Sequence, residues 1–252
     1  MKPPEQARYA QTLQACNQLL REHWQRQPYT HKPPLVLEAG GGSFSHFALP
    51  SDAALLALDI DFGQLRRNTA TPLRIQGDLH KLPLAPAAVD IVVCFNVIEH
   101  LDEPDSALRQ MAESLHPGGI LILGCPDRNS LKGQVTRMTP LSLHRAFYRY
   151  IVRKADRGDG HYDAFATPFR PLVSVAPLGE RLQQLGFELQ FSRAYDGAYE
   201  YGLTQGSTLR RCFGLPYYAL GWLGTWLSGK RWQALHSDLL IVARKTGEAA
   251  HA

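Results

Sequence analysis

Seven short apolar runs recur along this chain: LVLEA, ALLALDI, PLRIQGD, VDIVVCFN, ILILGCP, FELQFSRAY and DLLIVARK. Runs this short, bounded by Gly, Pro or Asp, suit strands rather than helices. Between several of them lie helical patterns such as DSALRQMAESLH and VAPLGERLQQLG, the second ending on Gly186 at an expected helix C-terminus. Strands alternating with helices specify a parallel sheet covered on both faces, with ligands bound at the carboxyl ends of the strands. A chain of 252 residues holds one elaborated α/β domain more readily than two equal ones.

Three segments stand outside the alternation. Residues 1–30 are expected to supply a leading helix, with Ala10, Leu13, Leu19, Leu20 and Trp24 near helical spacing over residues 5–27. Residues 127–172, rich in Arg and aromatics, and residues 197–236, rich in Gly, Tyr and Trp, are expected as insertions over the strand ends. Residues 1–130 carry 11 Lys and Arg against 14 Asp and Glu, while residues 131–252 carry 16 against 9, so the positive charge belongs to the second half. Such asymmetry draws anionic substrates or a lipid surface towards one face, or simply solvates it.

The four cysteines, Cys16, Cys94, Cys125 and Cys212, are far apart and have no zinc-ligand spacing, so they read as free thiols with no metal site. MKPPEQARYAQTLQACNQLLREHW has no apolar core of the kind a signal peptide needs, and a cytoplasmic location is the expectation.

The chemistry gathers at LVLEAGGGSFSHFALP, residues 35–50. Glycines just after a first strand let the backbone turn tightly and approach a ligand closely, and Gly40, Gly41 and Gly42 meet that need. The nicotinamide pattern GxGxxG would require glycine at Ser45, and a P-loop would require a Gly-Lys-Ser/Thr ending. Glu38, ahead of the glycines, would repel a pyrophosphate and suits a ligand carrying a positive group. The second strand ends in Asp59, placed to accept both hydroxyls of a ribose, which suits NAD and S-adenosylmethionine equally. Asp78 follows the third strand, where an acceptor suits an exocyclic adenine amine, with Leu79 as apolar edge and backbone donor. Three acids on three successive strand ends describe a cationic adenosine compound. Taken singly, Asp59 or Asp78 would be a turn residue or helix cap. Asp90 reads as structural, and HPGG, residues 116–119, as the turn before the fifth strand.

The series VLEAGGG, ALDID, GDLHKLPLAPAAVDIVVCFNVIEHL and LHPGGILIL resembles the ordered motifs of class I S-adenosylmethionine-dependent methyltransferases, in the type 11-like branch with its LPF, FD, EHL and PGG sequence. The resemblance runs from about residue 35 to 124 and resumes weakly at 177–192 and 238–245. It implies a Rossmann-like, seven-stranded, mostly parallel sheet forming one methyltransferase domain over residues 1–252, with S-adenosyl-L-methionine as cofactor. It places Glu38, Gly40 and Gly42 beside the methionine part, Asp59 on the ribose, Asp78 and Leu79 on the adenine, and Asn96 facing the methyl donor. His100, in EHL, comes near the site by the same resemblance; a structural histidine bonded to a backbone carbonyl is the other reading. The family loop often carries a third glycine where this chain has Phe44, whose ring either points away or narrows the pocket.

A sulfonium methyl is already activated, so such a protein mainly orients donor and acceptor, and a base is needed chiefly for a hydroxyl acceptor. His161 and Asp163, in GHYDAF, are candidates for base and orienting partner, against ordinary loop residues. Arg145, Arg149 and Arg153 recur every four residues, and a helix would align them towards phosphates of a substrate or bilayer, or towards solvent. No recognised nucleic-acid-binding module accompanies the charge, so no nucleic-acid partner is expected. Residues 209–232 hold an uncharged run from Cys212 to Gly229 bracketed by Arg210, Arg211, Lys230 and Arg231. Trp222 and Trp226 share a helix face, which suits peripheral contact with the inner face of a membrane, or a buried lid over the substrate.

The expected activity is transfer of a methyl group to oxygen of a small or lipid-linked acceptor, a glycan or a polyprenyl or quinone-like compound. A non-catalytic cofactor-binding regulator of the same fold is the alternative, and an NAD-dependent dehydrogenase, disfavoured by Ser45 and Glu38, is third.

Overall fold

The strand VDIVVCF is buried at every position, which only a central strand with both faces covered allows. It is β4 (Val89–Phe95) of a seven-stranded sheet in a computed structural model that describes residues 34–43, 53–140, 142, 167–196, 208–229 and 236–247. The other strands are β1 (Leu35–Ala39), β2 (Ala54–Asp59), β3 (Leu73–Gln76), β5 (Leu115–Pro126), β6 (Phe187–Tyr195) and β7 (Asp238–Lys245). Their spatial order is β3-β2-β1-β4-β5-β7-β6. The first five are parallel, and β7 runs antiparallel between β5 and β6. All seven strands lie where the apolar runs predict them.

The described helices are α1 (Phe62–Arg67), α2 (Pro104–Ser114), α3 (Leu131–Met138), α4 (Val175–Gln184) and α5 (Thr208–Leu227). In α2, Pro104 occupies the first turn, where its missing N–H costs nothing, and Ala107, Leu108, Met111 and Ala112 form the buried stripe. Leu178 and Leu182 of α4 join them in one core layer beneath Leu37, Leu58, Val92, Leu121 and Ile241. The Arg181 guanidinium ties α4 to Asp105 of α2, and this bond holds the Asp105 carboxyl below the usual carboxylate range. Helix α4 stops with Gly186 at φ 81°, the left-handed residue that its sequence predicts. The opposite layer holds Val36, Ile91, Val93, Phe95, Ile122, Leu240 and Val242; among the described residues it is built from strands. The expected leading helix of residues 1–30 lies outside the described residues.

HPGG departs from its expected role. Leu115 already pairs with Val89 and Ile120 with Ile91, so residues 116–119 form a bulge opposite Asp90 alone. The strand starts early because Leu115 is fully buried, and Lys245 Nζ donates to the carbonyls of Ala112 and Leu115 where α2 runs into it. Asp90 is structural, as its sequence position suggests: its Oδ2 accepts the Leu35 N–H at 2.9 Å and pins the start of β1.

Candidate active site

The strand order reverses between β1 and β4, and the carboxyl ends flanking that point are where open α/β sheets bind ligands. Gly40, Gly41 and Gly42 follow β1 there. The N–H groups of Gly40 and Gly41 both donate to Leu58 O, at 2.8 and 2.9 Å, folding the loop back over β2. Gly40 has φ 84°, and a Cβ on it would stand 2.1 Å from Val97 Cγ2, so only glycine passes between the two strand ends. Gly42, at φ 41°, donates its N–H to Asp59 Oδ2 at 2.9 Å.

Asp59 is half-buried, and its Oδ1 accepts from Asp61 N at 2.9 Å. Each oxygen thus takes one backbone donor and retains acceptor capacity. Asn68, fully buried after α1, donates from Nδ2 to Gly41 O at 2.8 Å, and Arg67 Nε donates to Ser43 Oγ at 3.4 Å. These two residues hold the loop from behind, a task that sequence reasoning missed because nothing local marks a cap asparagine as a loop anchor.

Glu38 is buried on β1, in register with Ala57 and Val93. Asp78 stands after β3, its Oδ1 accepting from His80 N at 2.9 Å and bonded to His80 Nδ1 at 2.7 Å. The His80 backbone N–H, with the ring adding, holds the Asp78 carboxyl below its ordinary range. Leu79 turns its side chain into the core at 5% exposure, so what it offers a ligand is its backbone. Asn96 ends β4 exposed, with φ 53° and its N–H donating to Gly124 O at 2.8 Å; asparagine is among the few side chains that tolerate this conformation.

A short 3-10 turn, Ile98–His100, follows Asn96. His100 is half-buried, with Nδ1 hydrogen-bonded to Thr167 Oγ1 at 3.3 Å and Nε2 3.8 Å from Glu99 Oε1. Glu99 is 2% exposed, and burial, with the Asp238 charge adding, pushes its carboxyl from 4.5 up to about 8. Asp127 nearby is pushed from 3.8 up to about 6 by burial. Cys94 and Cys125 are buried thiols, Cys94 pushed up to about 12, which makes them core residues and not nucleophiles. His161, Asp163 and Phe44 lie outside the described residues.

The buried acids set a pH dependence. A carboxyl raised on folding means that the folded chain binds more protons than the unfolded one, so stability falls as pH rises from 4.5 to about 8. Glu99→Gln is expected to flatten that slope and raise the melting temperature at the alkaline end, read by calorimetry at both ends of the window. An unchanged slope would mean that Glu99 ionises freely in the fold.

The residues suit an adenosine-linked cation. The loop is closed to a Cβ at Gly40, backbone approaches the site where side chains would block it, and acids stand at three strand ends. Comparison with known proteins agrees. Residues 37–123 match the family model described as a methyltransferase domain. A "Probable S-adenosylmethionine-dependent methyltransferase" of Mycolicibacterium smegmatis is 35% identical over 111 residues, covering 42% of this chain and 43% of that one. A ubiquinone biosynthesis O-methyltransferase of Xanthomonas euvesicatoria is 26% identical over 166 residues, covering 62% of each. The chain thus spans less than two thirds of the length of either relative. The crystal structure of a SAM-dependent methyltransferase from Methanosarcina mazei superposes with a TM-score of 0.52 at 16% identity, over 87% of this chain and 96% of that one, and shows the shared fold. By the family model and its relatives, residues 37–123 form a methyltransferase domain of the class I S-adenosylmethionine-dependent type, whose cofactor is S-adenosyl-L-methionine.

Proposed function

We propose that the chain transfers a methyl group to a hydroxyl oxygen of a small or lipid-linked acceptor, a glycan or a polyprenyl or quinone-like compound. The observation that carries the reading is the neighbourhood of His100: a half-buried imidazole just beyond the exposed Asn96, with a buried carboxyl and a threonine hydroxyl beside it. The similarity to a protein named as a ubiquinone biosynthesis O-methyltransferase supports a hydroxyl acceptor.

When bound, S-adenosylmethionine supplies a methyl on a sulfonium, already activated for in-line displacement. Asp59 would hold the ribose, Asp78 and the Leu79 N–H the adenine, and Glu38 with the glycine loop the methionine part. The loop's bonds to Leu58, Asp59 and Asn68 fix its backbone before any ligand arrives, so little ordering cost falls on binding. Asn96 orients donor against acceptor. His100 takes the hydroxyl proton as the oxygen gains its methyl, its ring held through Nδ1 by Thr167 Oγ1.

His100→Ala is expected to lower kcat by about 100-fold or more, the usual contribution of a positioned base. Affinity for S-adenosylhomocysteine stays within about twofold, since a residue acting only in the chemical step leaves ground-state binding alone. The assay follows labelled methyl from S-adenosylmethionine into phenolic polyprenyl, quinol and glycan hydroxyl acceptors. Cofactor binding without transfer to any acceptor would favour a regulatory protein instead, and unchanged kcat in His100→Ala would remove the base from His100.

A further inference from the structure

Helix α5 is amphipathic the wrong way round for water. Gly214 and Gly221, two turns apart, are buried, with Tyr217, Gly224 and Thr225 half-covered beside them. On the other side Leu215, Trp222 and Trp226 are 74%, 64% and 68% exposed, and Leu220, Leu223 and Leu227 widen the stripe. The spacing 215, 222, 223, 226 is that of one helix face, which in a surface helix normally turns to the core. This face instead runs unbroken along the last three turns, past Pro216.

The charges that bracket it in sequence are of one sign, and the acid that meets it in space, Asp196, accepts from the half-covered Tyr218 Oη at 3.4 Å. In sequence, Arg210 and Arg211 fall in the first turn of the helix and Lys230 and Arg231 follow its last residue by three and four positions, and no Asp or Glu occurs between residues 201 and 237. A second copy laid along α5, parallel or antiparallel, would bring basic ends against basic ends. An anionic surface meets both ends and the stripe at once, with the tryptophans at the level of the headgroups. Among the described residues no helix is long and apolar enough to cross a membrane.

Topology places this helix at the functional end of the molecule. The segment holding α5 leaves from Tyr195 and returns at Asp238, which are register partners, and Asp238 also pairs with Pro126 at the carboxyl end of β5. That is the end at which Asn96 closes β4.

We infer that α5 is a docking helix that lays its Leu and Trp face on an anionic bilayer, the net positive charge of the sequence around it favouring lipid phosphates. Docking so placed turns the cofactor end of the sheet towards the bilayer; that the acceptor itself comes from the membrane rests on the function proposed above.

The test uses the full chain with unilamellar vesicles of phosphatidylcholine alone and of phosphatidylcholine with phosphatidylglycerol. Co-sedimentation is expected to be at least about tenfold stronger on the anionic vesicles and to weaken with added salt, given the four basic residues that bracket the stripe in sequence. Trp222→Glu/Trp226→Glu is expected to lose at least about tenfold of that partition, the cost of setting carboxylates at the headgroup boundary. Trp222→Ala/Trp226→Ala is expected to lose less, and both variants keep the melting temperature and S-adenosylhomocysteine affinity of the parent, because these side chains stand outside the core. Equal binding to both vesicle types, no binding to either, or full binding by the Glu variant would overturn the inference. So would a dimer, seen by light scattering, that the Glu variant disperses while vesicles bind neither protein, since a second copy would then cover the face. Vesicle binding that persists when no acceptor is methylated would retain the docking and remove only the proposed acceptor.

Discussion

Asp59→Ala is expected to lose at least about 100-fold in affinity for S-adenosylhomocysteine, because hydrogen bonds to a charged acceptor contribute ~1.5–3 kcal/mol each and a ribose offers two. The same carboxylate accepts the Gly42 and Asp61 N–H groups, so the substitution also strips the glycine loop of an anchor. Leaving such donors without a partner costs ~1–3 kcal/mol where they are shielded from water. The two effects separate by measurement. Calorimetric titration reads the ligand term, and thermal unfolding without ligand reads the loop term. Asp59→Asn keeps one carbonyl acceptor and is expected to fall between parent and Ala variant on both. Unchanged affinity in Asp59→Ala would move the ribose elsewhere.

The second large effect is expected at Gly40. An alanine there needs φ 84° and sets its Cβ 2.1 Å from Val97 Cγ2, a separation that no pair of non-bonded carbon atoms sustains. The left-handed backbone costs ~1–2 kcal/mol for a residue with a side chain. Moving Val97 aside costs ~1–3 kcal/mol, the range for an overfilled core. Gly40→Ala is therefore expected to melt well below the parent and to bind S-adenosylhomocysteine poorly, the loop being displaced from Leu58. Adding Val97→Ala removes the nearest atom but neither the backbone cost nor the 3.1 Å approach to Val97 Cβ, so stability returns only in part. A Gly40→Ala protein with parental melting temperature would show that the loop bends easily and that the contact with Val97 does not shape it.

Much of this was legible in the sequence because it depends on local pattern. Each strand announces itself by a short apolar run, and Glu38, Gly40, Gly42, Asp59, Asp78 and Asn96 stand at strand ends because those ends are where the runs stop. What was not legible depends on direction. The sequence offers Leu79 as both apolar edge and backbone donor, but adjacency to Asp78 does not say on which side of the chain a side chain falls; this one packs in the core and leaves the backbone for a ligand. Asn68 follows a short helix in an ordinary way, and only the fold brings its amide to Gly41 O. HPGG has the composition of a turn, and pairing of Leu115 with Val89, a contact between distant residues, makes it a bulge. Trp222 and Trp226 share a face by spacing alone, yet periodicity is the same for a face turned inward or outward. The described exposures decide for outward.

The antiparallel seating of β7 has a consequence for how such a protein diversifies. Because β6 and β7 meet at Tyr195 and Asp238, everything between them enters and leaves the sheet at one spot. The pairing of β7 with β5 and β6 makes no demand on the length or composition of that segment. The segment is a cassette in the geometric sense: its length and content can change while residues 37–123 and the strand pairings keep their register.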